Sequence, residues 1–351
     1  MMLRFCVLLC AVGLAVGAPP APQRTQAEID ELRQILSKAK PGDGNLEEAM
    51  AERPWSSAWE NSGKYQGDII LTDDQIDDMV AEYSGAEQRN GMANPNTRWP
   101  GNTIIYEFAA GHFSTAQQNE IMTSFNMFNT RTCVRFRRRT NEHDFVRITG
   151  WSDGCYAHVG YMRNFGAHTF NIAWPGCSNR MIIMHEWLHV VGFHHMHQTY
   201  PRDDWVIINW QNVQNGMASQ FNRFSNSLIT MLGLPYEYAS NQHYGSHAFS
   251  FNGQPTITPR FNDGGQMGQL QFVSGWDILR VNRLYNCPGA WNQEVRLEDA
   301  NKPAYYPYEE VPAKVSDELA ETWVDAPVED QPEVIDEEVD VVKVAEPVIA
   351  Y

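Results

Sequence analysis

The chain has 351 residues, 43% of them hydrophobic and 12% aromatic, which is enough to bury the core of one or two domains. Its net charge of −17 gives no reason to expect a nucleic-acid partner, and most of it is local. Residues 288–351 hold 17 acidic side chains against four basic ones, so the remainder of the chain carries only −4.

In chain order, one positive charge at Arg4 precedes an apolar run from Phe5 to Val16 and the small residues Gly17 and Ala18. That order predicts a secretory signal peptide over residues 1–17, too short to span a bilayer. No later segment is long and apolar enough to be a membrane span. The expected location of the mature protein is therefore secreted and extracellular.

Residues 18–89 are polar. Ile29, Leu32, Ile35 and Leu36 share a helical face within 27–38, and Ile76, Met79 and Val80 mark a second helix over 73–83. Residues 90–287 hold the other four cysteines, and 288–351 read as an acidic, Pro-rich disordered tail. Within 90–287, runs at 103–108, 134–136 and 145–149 read as strands, and 116–129 and 180–191 as helices. Cys133, Cys155, Cys177 and Cys287 form an even set in an exported chain. That favours two disulfides with three possible connectivities, and without a C-x-x-C pair no cysteine zinc site is expected.

The 180–191 helix carries the chemistry. Its segment reads His185-Glu186-Trp187-Leu188-His189-Val190-Val191-Gly192-Phe193-His194-His195. Side chains four apart lie one turn above each other, so His185 and His189 can face one ion, with Glu186 beside it. Gly192 can end the helix in a left-handed turn that brings back His195 as third ligand. Three protein ligands leave a position for water, the pattern of a catalytic rather than a structural zinc site. Glu186 is then placed to move a proton from that water to the leaving amine.

The extended H-E-x-x-H-x-x-G-x-x-H is the metzincin signature, and the surrounding residues resemble the astacin family of zinc metalloendopeptidases. Arg98-Trp99-Pro100, Thr132-Cys133-Val134-Arg135-Phe136, Gly154-Cys155-Tyr156 and Ser240-Asn241-Gln242-His243-Tyr244-Gly245 are similar to family segments, as is the closing stretch Asn282–Cys287. The resemblance implies an α+β fold of two subdomains: a mixed sheet and active-site helix above a less regular C-terminal half. It implies Zn2+, one per domain, and protein or peptide substrates. It implies disulfides Cys133–Cys287 and Cys155–Cys177, and a Tyr244 that leaves the metal to hydrogen-bond the oxyanion. It also assigns 18–89 as a prosegment, in which Asp68 of Tyr65-Gln66-Gly67-Asp68 blocks the zinc. An activating protease would cut after Arg89 to expose Asn90.

Two positions depart from the family. Met196 stands where a glutamate pairs with the new N-terminus, and Gln242 where a methionine lies under the metal. These departures motivate the alternative of a non-catalytic zinc-binding extracellular matrix or binding protein on the same fold. His194 is not expected to be a ligand. His197 and His243 are expected to orient their neighbours, and Arg135, Arg137, Arg138 and Arg139 to balance acidic neighbours on a strand surface.

Overall fold

The computed structural model describes residues 25–37, 44–84, 95–226, 228–262, 265–296, 300 and 302–305. The signal peptide, the Arg89–Asn90 cleavage point and residues 306–351 of the tail lie outside the described residues.

A six-stranded sheet dominates the N-terminal half. It is built from β1 (Ile69–Ile70), β2 (Thr103–Phe108), β3 (Arg135–Arg138), β4 (Phe145–Thr149), β5 (Cys155–His158) and β6 (Ala167–Ile172), in the order β1-β5-β6-β4-β2-β3. The pairs β2–β3, β2–β4, β4–β6 and β1–β5 are parallel, and β5–β6 is antiparallel. β1 belongs to the polar segment 18–89, here called the leader, and covers an edge that β5 would otherwise leave open.

The helix α6 (Arg180–Val191) packs against β5 and β6. Asn179 caps it by accepting from the Met181 amide at 2.8 Å. Every residue from Met181 to Val191 is buried, as befits a helix that is apolar on nearly all sides. Trp187 stacks on Phe170 with ring centroids 4.0 Å apart, and Phe136 meets it edge-on. The predicted helix over 116–129 is two helices, α4 (Thr115–Thr123) and α5 (Phe125–Arg131). They part at buried Ser124, whose hydroxyl and amide both turn back to the Ile121 carbonyl.

The C-terminal half is less regular. It holds α7 (Arg202–Trp205), the antiparallel pair β7 (Val206–Ile208) and β8 (Ile257–Pro259), and then β9 (Val273–Ser274), which leads into α8 (Gly275–Leu284). The Ser274 hydroxyl caps α8 by accepting from the Asp277 amide at 2.9 Å. Disulfides join Cys133 to Cys287 and Cys155 to Cys177, tying β3 to the end of α8 and β5 to the approach to α6.

Order continues past 287, where the sequence suggests a disordered tail. Pro303–Tyr305 form β10, paired with β9, and Ala300 packs with Leu234, Trp276 and Leu279. The Arg283 guanidinium anchors the intervening turn through the Ala290 carbonyl, with the Trp291 ring against it. Small and apolar residues here complete a cluster that α8 would otherwise expose.

The leader folds onto the same unit. α1 (Gln26–Ser37) and α3 (Asp73–Ser84) pack on each other, and α2 (Leu46–Glu52) precedes the segment that reaches the centre. Leu32, Leu36, Tyr65, Ile69, Ile76, Met79 and Val80 of the leader share one apolar cluster with Val159, Phe224, Leu228 and Ile229. Among the described residues no helix is long and apolar enough to cross a membrane.

Candidate metal centre

His185 and His189 stand one turn apart on α6, and Gly192 ends that helix at φ 125°. Its amide returns to the His189 carbonyl at 2.8 Å, and the Phe193 amide to that of Leu188 at 2.9 Å. His195 then arrives in extended backbone, and the Met196 amide fastens the turn to the Gln242 carbonyl at 2.8 Å.

The leader brings the fourth member. Gln66 (φ 52°) and Gly67 (φ 90°) make a tight turn closed by mutual hydrogen bonds between Lys64 and Gly67. A Cβ on Gly67 would lie 2.8 Å from the Glu60 Cα, so no side chain fits there. The turn delivers Asp68 with Oδ2 at 2.9 Å from Nε2 of His185, 3.4 Å from that of His189 and 3.3 Å from that of His195. The four donor atoms lie within 4.8 Å of one another, and all four residues are fully buried.

Each imidazole uses its other nitrogen on a carbonyl oxygen. His185 Nδ1 faces Asn241 O at 2.7 Å, His189 Nδ1 faces Phe193 O at 2.6 Å, and His195 Nδ1 faces Gln66 Oε1 at 2.8 Å. An acceptor at Nδ1 requires the proton there, which leaves an Nε2 lone pair directed at Asp68. Burial holds all three pKa values below the usual histidine range, that of His189 at about 4, so the rings are neutral. Three lone pairs and a carboxylate converging this closely repel one another without a cation between them. Nitrogen and oxygen donors in this number suit zinc, so the residues fit the ion.

The ring's supports run deeper. The Asn241 amide donates to Asp277 Oδ2 at 2.8 Å, and Ser240 Oγ to Asp277 Oδ1 at 2.6 Å, so α8 holds the turn that orients His185. Gln242, buried in the same turn, donates from Nε2 to the His185 carbonyl at 2.7 Å, while its Oε1 finds no partner among the described residues. Met196 is buried and contributes no charge.

Glu186 is fully buried with neither carboxylate oxygen hydrogen-bonded among the described residues, and burial, then the Asp68 charge, raises its pKa. The Tyr244 hydroxyl donates to the Gln66 carbonyl oxygen, and its ring lies 3.9 Å from that of His197 and 4.6 Å from that of His195. His243 donates from Nδ1 to the Tyr244 carbonyl at 2.8 Å, and His197 bonds the Gln220 carbonyl at 3.0 Å. His194 is outside the cluster, against Phe224.

The sequence pattern of the Astacin peptidase family matches residues 91–286. The chain belongs to the astacin family. It is 36% identical to zinc metalloproteinase nas-4 of Caenorhabditis elegans over 230 residues, which cover 65% of this chain and 70% of that protein. It is 40% identical to high choriolytic enzyme 2 of Oryzias latipes over 189 residues, 53% of this chain and 65% of the other. Among solved structures, high choriolytic enzyme 1, a hatching enzyme zinc-protease from the same fish, is 37% identical over 54% of this chain and 93% of that one, with a TM-score of 0.49.

This astacin is a zinc metallopeptidase of α+β fold acting on protein or peptide substrates. Several residues at its centre escape a reading of the sequence. Trp59 stacks on His185 with centroids 4.2 Å apart and on His195 at 5.2 Å, and Glu60 Oε1 accepts the Gly245 amide at 3.0 Å. Gln66 supports both His195 and Tyr244. The signal for Gln66 was its place beside Asp68, whereas nothing local marks Trp59. The arginines in and just after β3 behave as surface charge: Arg137 pairs with Glu142, and Arg139 with Glu107 at 2.8 Å.

Proposed function

We propose that the protein is a secreted zinc endopeptidase made as an inactive precursor, with residues 1–17 directing export and 18–89 serving as the prosegment. The observation that carries the reading is the meeting of Asp68 with the Nε2 atoms of His185, His189 and His195. Those three histidines would hold one zinc per domain, with Asp68 as a further donor in the precursor. Zinc there supplies a Lewis acid toward water and the scissile carbonyl.

The chain's own groups do the rest. Glu186, fully buried and without a hydrogen-bonding partner among the described residues, takes a proton from the attacking water and returns it to the leaving nitrogen. Tyr244 donates to the carbonyl oxygen as negative charge grows on it. Its present bond to the Gln66 carbonyl, a peptide oxygen beside the centre, supports that role. Asp68 fills the space between the imidazoles where water must enter. Cleavage after Arg89 by another protease would leave Asn90 at the new terminus and free the cleft.

The test joins metal content to activity. Processed protein should contain stoichiometric zinc and cut an internal bond in a peptide library, and a chelator should abolish the cutting. Glu186→Ala should retain the zinc and lose about 10²–10⁴-fold in rate, the usual worth of a general base. Zinc-free protein, or equal turnover by the variant, overturns the assignment.

A further inference from the structure

The leader lies along β5 from Ser62 to Ile70. Ser62 Oγ donates to the Cys155 carbonyl at 2.9 Å and accepts from the Cys155 amide at 2.8 Å, and the Ala157 amide donates to the Asp68 carbonyl at 2.9 Å. Within this stretch Lys64 reaches down into the domain. Its Nζ lies 2.8 Å from Asp153 Oδ2 and 4.7 Å from the centroid of the Tyr156 ring. The Tyr156 hydroxyl donates to both Asp153 oxygens, at 2.9 and 3.0 Å. The Lys64 and Asp153 side chains are 2% and 1% exposed. The leader also supplies the cover: the Leu46 amide donates to the Ser152 carbonyl at 3.1 Å, and a Cβ on Gly44 would lie 3.6 Å from that of Asp153.

We infer that in the processed enzyme Asp153 and Tyr156 form a subsite that selects a lysine or arginine side chain of the substrate, near the scissile bond. This rests on the endopeptidase and prosegment reading above. The recess is already filled by an ammonium group in the precursor, delivered by the turn that precedes β1 beside the β5 edge. A substrate strand on the same edge meets the same carboxylate and the same ring face. Tyr156 holds the carboxylate in place before the cation arrives, so little ordering remains to oppose binding. An ammonium or guanidinium finds both a charge partner and a π face there. A glutamate or aspartate meets like charge, so the recess rejects as well as selects. Lys64 lies across one tight turn from Asp68, which places the selected side chain within about four residues of the cut.

The experiment scans peptides with Lys, Arg, Met or Glu at each of the four positions on either side of the cut. For the processed enzyme, kcat/KM at one position should favour Lys or Arg over Met by about tenfold or more, the size expected of a charge-assisted contact of about 1.4 kcal/mol. Asp153→Asn should bring that ratio close to one. A ratio that is unity in the parent, or unmoved in Asp153→Asn, overturns the inference. Binding of the same peptides to processed Glu186→Ala, by fluorescence anisotropy, should give the same preference without turnover. A subsite present there in a protein that cuts nothing separates failure of the activity from failure of the subsite. If Asp153→Asn does not fold, the parent's Lys-to-Met ratio must fall with rising salt, and a salt-independent ratio overturns the inference.

Discussion

Tyr244 is held from three sides: its ring by His197, its carbonyl by His243 and its hydroxyl by Gln66. On the proposed precursor reading, departure of the leader would keep the first two supports with the domain and vacate the third for a substrate carbonyl. Tyr244→Phe should therefore lower kcat by about 10²–10³, or ~2.7–4 kcal/mol, with little change in KM, because the donor acts on charge that develops in the transition state. Steady-state kinetics on a single peptide decides it, and an effect confined to KM would argue against the role. At this scale, the histidines and Glu186 were legible because a helix converts sequence spacing into spatial proximity. The contacts that Trp59, Gln66 and Asp277 make were not, because each reaches its partner across a long chain separation. Gln242 was legible as a departure, but its bond to the His185 carbonyl depends on the exact approach of the turn to α6.

Helices α1 and α3 follow from apolar spacing, and β2 and β4 coincide with their β-forming runs. The strand β5 is buried at all four positions and shows no alternation to read. β1 is two residues long and exists because β5 offers it an edge. That pairing shapes the expectation for Asp68→Ala in the uncut precursor. Loss of the carboxylate frees the centre, yet β1, Trp59 and the Lys64–Asp153 pair still cover the cleft. The variant precursor should show activity above the parent's and well below that of the processed enzyme, read on one fluorogenic peptide. A variant as silent as the parent would remove Asp68 as the block.

For the molecule as a whole, the two disulfides act on different lengths of chain. Cys133–Cys287 closes a separation of 154 residues and Cys155–Cys177 one of 22. Restricting the unfolded chain favours the longer loop, so replacing Cys133 and Cys287 with alanine should cost about 2 kcal/mol more than replacing Cys155 and Cys177. Reversible denaturation of the two double variants tests the order. The α+β architecture was legible from family-like motifs spread along the domain. The extent of ordered chain was not: a composition rich in acid and proline hides the short strand that completes the β9 edge.

If the protein is activated as proposed, scission of the leader and opening of the cleft would be separate events in time. Leu36, Ile69, Ile76 and Val80 sit in the same apolar cluster as Val159, Phe224 and Leu228, and cutting a peptide bond between 84 and 95 removes none of those contacts. The severed fragment would then start as a tightly held ligand of the domain, and its escape rate, rather than the cut, should set the onset of activity. Dilution, or further digestion of the fragment, should hasten that onset, whereas added fragment should restore silence. An activating cut would start a clock that the leader's own hydrophobic residues run.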